Sequence, residues 1–172
     1  KREVQSIYDA ASTLFGIINN ILDVSRIARG KEEKKETTYE MRKIVMQLSS
    51  VITAKLDQNK VKLNINISSD VPKFMIGDEL KIYQILMNIL SNAAKYTNEG
   101  HIDFNISSEN VGDMATVKFS VADTGIGIKE SDYDKLFVKF SRINNQENYN
   151  EVEGTGLGLV ITKKLVELLG GT

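Results

Sequence analysis

The stretch Gln84-Ile85-Leu86-Met87-Asn88-Ile89-Leu90-Ser91-Asn92-Ala93-Ala94-Lys95-Tyr96-Thr97 limits the possible folds most, because it sorts into two faces at helical spacing. At about 100° per residue, Lys81, Gln84, Asn88, Asn92 and Lys95 fall in one narrow stripe. Ile82, Ile85, Leu86, Ile89, Leu90 and Ala93 fill most of the opposite side. A helix of this kind must lay its apolar side on another layer. Its polar stripe is unusual, with amides and a terminal lysine where a solvated face carries mixed Glu and Lys. Asn88 and Asn92, at i and i+4, present two amide oxygens together. An amide oxygen is a hard, neutral ligand that Mg²⁺ accepts beside phosphate oxygens, and Lys95 adds a point charge one turn on. Taken alone, the stripe is equally well a solvated face that happens to contain asparagine.

Composition narrows the classes. The 172 residues suffice for one domain plus an appendage. With 22 basic and 23 acidic residues the formal charge is −1, which gives no footprint for nucleic acid or a membrane surface. Cysteine is absent, which excludes disulfides and thiolate metal sites and fits a reducing compartment. No apolar run approaches the length of a membrane span, and no internal repeat is visible.

At the start of the chain, Ile7, Ala10, Leu14, Ile17, Ile21, Val24 and Ala28 follow heptad spacing. Ala11, Phe15, Ile18 and Leu22 widen the seam to suit a helical bundle with more than one partner helix. The charged run from Arg29-Gly30 to Glu36 then reads as a connector and a domain boundary, with the linker at 31–36. Thr37-Thr38-Tyr39-Glu40 has capping-box spacing and predicts a following helix that buries Met41, Ile44, Val45, Leu48, Val51, Ile52 and Leu56. Val61, Leu63, Ile65 and Ile67 alternate with polar residues, the period of a half-wet strand. Asp70-Val71-Pro72 breaks it, and Gly77-Asp78 supplies a turn and an N-cap. Ile102, Phe104 and Ile106 mark the next strand, Asn110-Val111-Gly112-Asp113 a hairpin-like connection, and Val117, Phe119 and Val121 a third strand. His101, the only histidine, opens a strand without a visible orienting partner and reads as structural or exposed.

Two glycine-rich stretches carry the remaining chemistry. Asp123-Thr124-Gly125-Ile126-Gly127-Ile128 puts a carboxylate at a strand end beside backbone that can pass close to a ligand. Such a carboxylate can accept a hydrogen bond from an exocyclic amine, although Asp-x-Gly is also a common turn. Leu136, Phe137 and Phe140 mark a short apolar anchor with Arg142 beyond, and the polar residues 143–153 read as a mobile loop. Gly154-Thr155-Gly156-Leu157-Gly158-Leu159 then opens a helix that includes Val160, Ile161, Leu165, Val166, Leu168 and Leu169. Glycines at a helix start expose free N–H groups and the positive end of the dipole, an anion site. The stretch is neither a dinucleotide fingerprint nor a P-loop: a polar loop precedes it, and Gly-Lys-Ser/Thr is missing.

The ordered set Asn88-x-x-x-Asn92, Asp123-x-Gly125-x-Gly127, Phe137-x-x-Phe140 and Gly154-x-Gly156-x-Gly158 resembles the N, G1, F and G2 boxes of sensor histidine kinases. These kinases share an ATPase superfamily with gyrase, the heat-shock chaperone and mismatch-repair proteins. The segment around Leu14 to Ile27 is similar to the second helix of their dimerisation and phosphotransfer hairpin.

The resemblance implies an α+β fold: a two-layer α/β sandwich with a mixed, mainly antiparallel sheet covered by helices, after one bundle helix at 1–30. The ATP-binding catalytic domain would occupy 37–172. The resemblance further implies that Asn92 ligates Mg²⁺ and that Asn88 supports metal and triphosphate. Lys95 would touch phosphate, Tyr96 would lie near the nucleotide, and Arg142 would reach the γ-phosphate. Asp123 would accept the adenine amino hydrogen bond, with Gly125 and Gly127 letting the ring approach. Gly154, Thr155, Gly156, Leu157 and Gly158 would line the phosphates, and ATP would lie between the 79–96 helix and the 143–153 lid. The implied partners are a response-regulator receiver domain and a second copy of the chain, as a homodimer through the hairpin; no nucleic acid is expected. The location expected is cytoplasmic, within a parent protein whose membrane anchorage is left open. The family's phosphorylated histidine and the strands after Gly170-Gly171 are not in this sequence. A superfamily ATPase and a non-catalytic ATP-sensing scaffold remain the alternative readings.

Overall fold

The computed structural model describes residues 33–141 and 155–172. The expected bundle helix, Arg142, the 143–153 loop and Gly154 lie outside the described residues. Two compact units are present, one of Lys35–Lys129 and a second that takes in Glu130–Thr172. No helix among the described residues is long and apolar enough to cross a membrane.

The first unit is a two-layer sandwich. Its elements are β1 (Thr37–Glu40), α1 (Met41–Lys55), β2 (Val61–Ile67), β3 (Phe74–Gly77), α2 (Glu79–Tyr96), β4 (Gly100–Val111) and β5 (Met114–Asp123). Among the described residues, β2, β4 and β5 form one sheet in that order, parallel across β2–β4 and antiparallel across β4–β5. The sheet is mixed, as expected, but not mainly antiparallel: among the described residues its two pairings divide evenly, one parallel and one antiparallel. Ile102, Phe104 and Ile106 of β4 are fully buried. They meet Ile44, Leu48 and Ile52 of α1 and Leu86, Leu90 and Ala93 of α2 in one core. Each Ile, Leu or Phe among them contributes about 1.5–3 kcal/mol on burial, which is what holds the helices on the sheet. The alternate residues Asn64, Asn66, Asp103 and Asn105 face away from that core. β4 and β5 turn at Gly112-Asp113, where Gly112 has φ +58° and Val111 pairs with Met114.

Two local expectations fail here. Thr37–Glu40 is not a capping box but a strand, paired antiparallel with β3. Glu40 precedes α1 in extended conformation, and no side chain caps the helix. Tyr39 explains the outcome, because the strand buries it to 7% exposure against Gly77. Burying a large apolar side chain is worth more than a cap of about 1 kcal/mol. Val51, expected inside α1's buried face, is exposed; Met41, Ile44, Val45, Leu48 and Ile52 are buried, and Leu56 lies just past the helix end.

The second unit is described by the 3₁₀ turn Glu130–Lys135, the following turns to Ser141, and α3 (Gly158–Leu169). α3 buries Val160, Ile161, Thr162 and Leu165. It ends where Gly170 takes φ +83°, with the Gly171 N–H donating to the Val166 carbonyl at 2.9 Å. The expected apolar anchor is not buried: Leu136 is half-buried, whereas Phe137 and Phe140 are exposed. Phe140 has φ +61°, and its N–H donates to the Gly156 carbonyl at 3.1 Å. The Lys163 ammonium lies 5.1 Å from the Phe137 ring centroid.

Candidate functional site

The amide helix is set at its start by Asp78. This N-cap carboxylate accepts the Lys81 N–H at 3.1 Å, the Lys81 ammonium at 2.9 Å and the Lys35 N–H at 2.9 Å. Asp78 and Lys81 are only 4% and 7% exposed. Lys81 therefore leaves the polar stripe that its spacing assigned it to and completes a buried ion pair. Burial alone would raise the Asp78 carboxyl, but the hydrogen bonds from Lys35 and Lys81 outweigh it and hold the group below its ordinary value. The rest of the stripe, Gln84, Asn88, Asn92 and Lys95, is half-buried along α2. The Lys95 ammonium lies 5.1 Å from the centroid of the Tyr96 ring.

The far end of α2 meets the Asp123 turn. Asp123 ends β5, is exposed, and accepts the Gly125 N–H on Oδ1 at 2.9 Å. That leaves Oδ2 as the oxygen available to a ligand. The Ile126 N–H donates to the Tyr96 carbonyl at 3.2 Å. A Cβ on Gly125 would collide with that same carbonyl oxygen and lie 2.7 Å from Asp123 Oδ1. Gly125 is thus demanded by contact with the end of α2. Gly127 differs: its φ is +66°, and a Cβ there would meet nothing within 4 Å. Asn88, Asn92, Lys95, Tyr96, Asp123, Gly125 and Gly127 all belong to the first unit.

Of the glycine-rich loop, Thr155 to Gly158 are described, in the second unit. Gly156 has φ +66°, and a Cβ there would sit 2.8 Å from the Ser141 carbonyl oxygen. The Leu157 side chain is buried, and its N–H donates to Thr155 Oγ1 at 3.2 Å. Gly158 is the first residue of α3, whose first-turn N–H groups have no partner within the helix.

Sequence reasoning missed three contributors. Asp78 was recognised as a cap but not as the partner of Lys35 and Lys81. His101 has a partner after all, since its Nε2 lies 3.5 Å from Asp103 Oδ2. The i, i+2 spacing on one strand face was the signal for it. Asp103 Oδ1 also accepts the Asn64 amide at 2.8 Å. Thr124 is the third, with a hydroxyl that contacts backbone on both sides of Gly100.

An amide oxygen, a free carboxylate oxygen and a lysine on one unit suit a nucleotide with its metal. Mg²⁺ is commonly held by one or two protein oxygens together with phosphates and water. Among the described residues no group of three His, Cys, Asp or Glu side chains could hold a metal alone.

Known proteins resemble this chain along nearly its whole length. The chain is 34% identical over 173 residues to hybrid signal transduction histidine kinase C of Dictyostelium discoideum, covering 99% of this chain and 14% of that protein. It is 34% identical over 169 residues to the signal transduction histidine-protein kinase BarA of Escherichia coli K12, covering 98% of this chain and 18% of that protein. The crystal structure of full-length ShkA in complex with AMPPNP shares the fold, with a TM-score of 0.80, 24% identity, and coverage of 99% of this chain and 34% of that one. Residues 77–172 match the model of a single ATPase family. The chain belongs to the histidine kinase-, DNA gyrase B- and HSP90-like ATPase family.

Proposed function

We propose that this chain is the ATP-binding catalytic region of a two-component sensor histidine kinase. It would pass the γ-phosphoryl group of Mg·ATP to a histidine outside this sequence, for relay to an aspartate of a response-regulator receiver domain. The observation that carries the reading is the seating of the Asp123 turn on the C-terminal end of the amide helix, through the Tyr96 carbonyl. That junction supports the reading because it joins the turn carrying the Asp123 carboxylate directly to the helix carrying Asn88, Asn92 and Lys95.

In this reading, Asp123 Oδ2 accepts the adenine amino group, and Tyr96 lies beside the ring. Asn92 offers its amide oxygen to Mg²⁺, and Asn88 supports metal and triphosphate. Lys95 and Arg142 bring positive charge to the phosphates, where negative charge is spread in phosphoryl transfer. Gly154, Thr155, Gly156, Leu157 and Gly158 supply the phosphate-lining backbone, with the free N–H groups of the first turn of α3. The Leu157 N–H takes part only once Thr155 releases it. Bound Mg²⁺ would neutralise phosphate oxygens. The acceptor imidazole forms the new N–P bond, the bond to the β-phosphate oxygen breaks, and ADP leaves. The domain division at residues 31–36, dimerisation through the 1–30 helix and a cytoplasmic setting belong to the same proposal.

Calorimetric titration with ATP, with and without Mg²⁺, tests the metal assignment. Asn92→Ala should weaken Mg·ATP binding more than metal-free ATP binding. An equal loss in both titrations would remove Asn92 from the metal.

A further inference from the structure

We propose that Thr124 is a positioning residue that aims the Asp123 carboxylate, an inference that rests on the reading of Asp123 as the adenine acceptor. The Thr124 hydroxyl accepts the His101 N–H at 3.0 Å. It also lies 3.2 Å from the Glu99 carbonyl oxygen and 3.3 Å from the His101 carbonyl oxygen, and its single hydrogen is donated to one of the two or shared between them. The Thr124 N–H adds a bond to the His101 carbonyl at 3.1 Å. The contact is close enough to dictate sequence: Gly100 has φ +111°, and a Cβ there would overlap Thr124 Oγ1. One hydroxyl thus ties the residue after Asp123 to the turn that leaves α2. On its other side the same turn is tied to α2 by Gly125 and Ile126.

The arrangement is more than packing, because Thr124 is itself exposed and fills no core space. Its three hydroxyl contacts and its own N–H hold Thr124 against the 99–101 backbone. They thereby fix the direction in which Asp123 Oδ2 points once Oδ1 is engaged by Gly125. Thr124 touches no reacting atom. It selects the base indirectly, by holding an acceptor where a 6-amino group can reach it.

Thr124→Val keeps the shape and deletes the hydroxyl, while Thr124→Ser keeps the hydroxyl. Two titrations compare them, one with ATP and one with purine riboside 5′-triphosphate, which lacks the 6-amino group. The parent chain should prefer ATP by about tenfold or more, the value of one hydrogen bond to a charged group. Thr124→Val should lower ATP affinity and leave the analogue's affinity unchanged, so the preference collapses; Thr124→Ser should restore it. Equal losses for both ligands, or an unchanged preference in Thr124→Val, would overturn the proposal. A parent chain with no preference would instead refute Asp123 as the adenine reader. Amide exchange of Gly125 and Ile126, read without nucleotide, still decides Thr124 in that case. Their N–H groups hold the turn together, so Thr124→Val should speed their exchange, and unchanged rates would overturn the positioning role. Thr124→Ala gives the same two readouts if valine crowds the Gly100 backbone.

Discussion

Gly125→Ala and Gly127→Ala place the same methyl group two residues apart, and the structure predicts different outcomes. At Gly125 the Cβ would collide with the Tyr96 carbonyl oxygen, and it would lie 2.8 Å from the Tyr96 carbonyl carbon and 2.7 Å from Asp123 Oδ1. Two of those atoms are backbone at the end of α2, which is itself packed in the core, so relief must come from the turn. Overpacking of this kind costs about 1–3 kcal/mol. Loss of the Gly125–Asp123 and Ile126–Tyr96 hydrogen bonds adds about 0.5–1.5 kcal/mol each. At Gly127 there is open space, and the cost is a left-handed backbone, about 1–2 kcal/mol, partly offset by a stiffer unfolded chain. Urea unfolding should therefore show a midpoint lower by about 1 M or more for Gly125→Ala, and by much less for Gly127→Ala. Amide exchange at Ile126 should accelerate only in the first variant. Equal midpoints, or a protected Ile126 in Gly125→Ala, would refute the claim that the turn is seated on the helix end.

Other variants test separate parts of the account. Asp123→Asn keeps Oδ1 for Gly125 but turns an NH₂ donor toward the adenine amine; ATP binding should weaken by about 1–3 kcal/mol by calorimetry, with the fold intact. Asp78→Asn removes the carboxylate that pairs with the buried Lys81 ammonium at 2.9 Å and should cost about 3–5 kcal/mol at neutral pH, measured by denaturant unfolding. Because the Asp78 carboxyl is held below its ordinary value in the fold, its contribution is complete above the unfolded value of about 3.9. It fades as pH falls through the lower folded value, so parent and variant stabilities should converge in acid.

What the sequence revealed follows the range of the forces involved. The amide helix was legible because a 100° period over eighteen residues separates Asn88 and Asn92 from Leu86 and Leu90 without reference to any partner. The alternating strands were legible for the same reason. The 37–40 strand was not, because its Thr-x-x-Glu signal is local, whereas its true partner, 74–77, lies far along the chain. That partner is only four residues long, too short to display a period. At the candidate site, Asp123 and its glycines announced themselves, but the reason for Gly125 did not, because the atom that excludes a side chain belongs to Tyr96. Thr124's role and the Lys35 contact of Asp78 escaped notice likewise: the partners are backbone groups 23 to 43 residues away, and backbone leaves no mark in a sequence.

In the proposed reaction this chain hands the γ-phosphoryl of ATP to a histidine on a separate helical hairpin. The most direct measurement incubates it with γ-labelled ATP and Mg²⁺, with and without a separately supplied histidine-bearing helical hairpin. Acid-labile label should appear on the hairpin histidine, be lost with Asn92→Ala, and be absent from the chain alone, since His101 stands at the start of β4 beside Asp103. Free phosphate without labelled histidine, ATP bound without turnover, or label on the chain abolished by His101→Ala would contradict the proposed reaction.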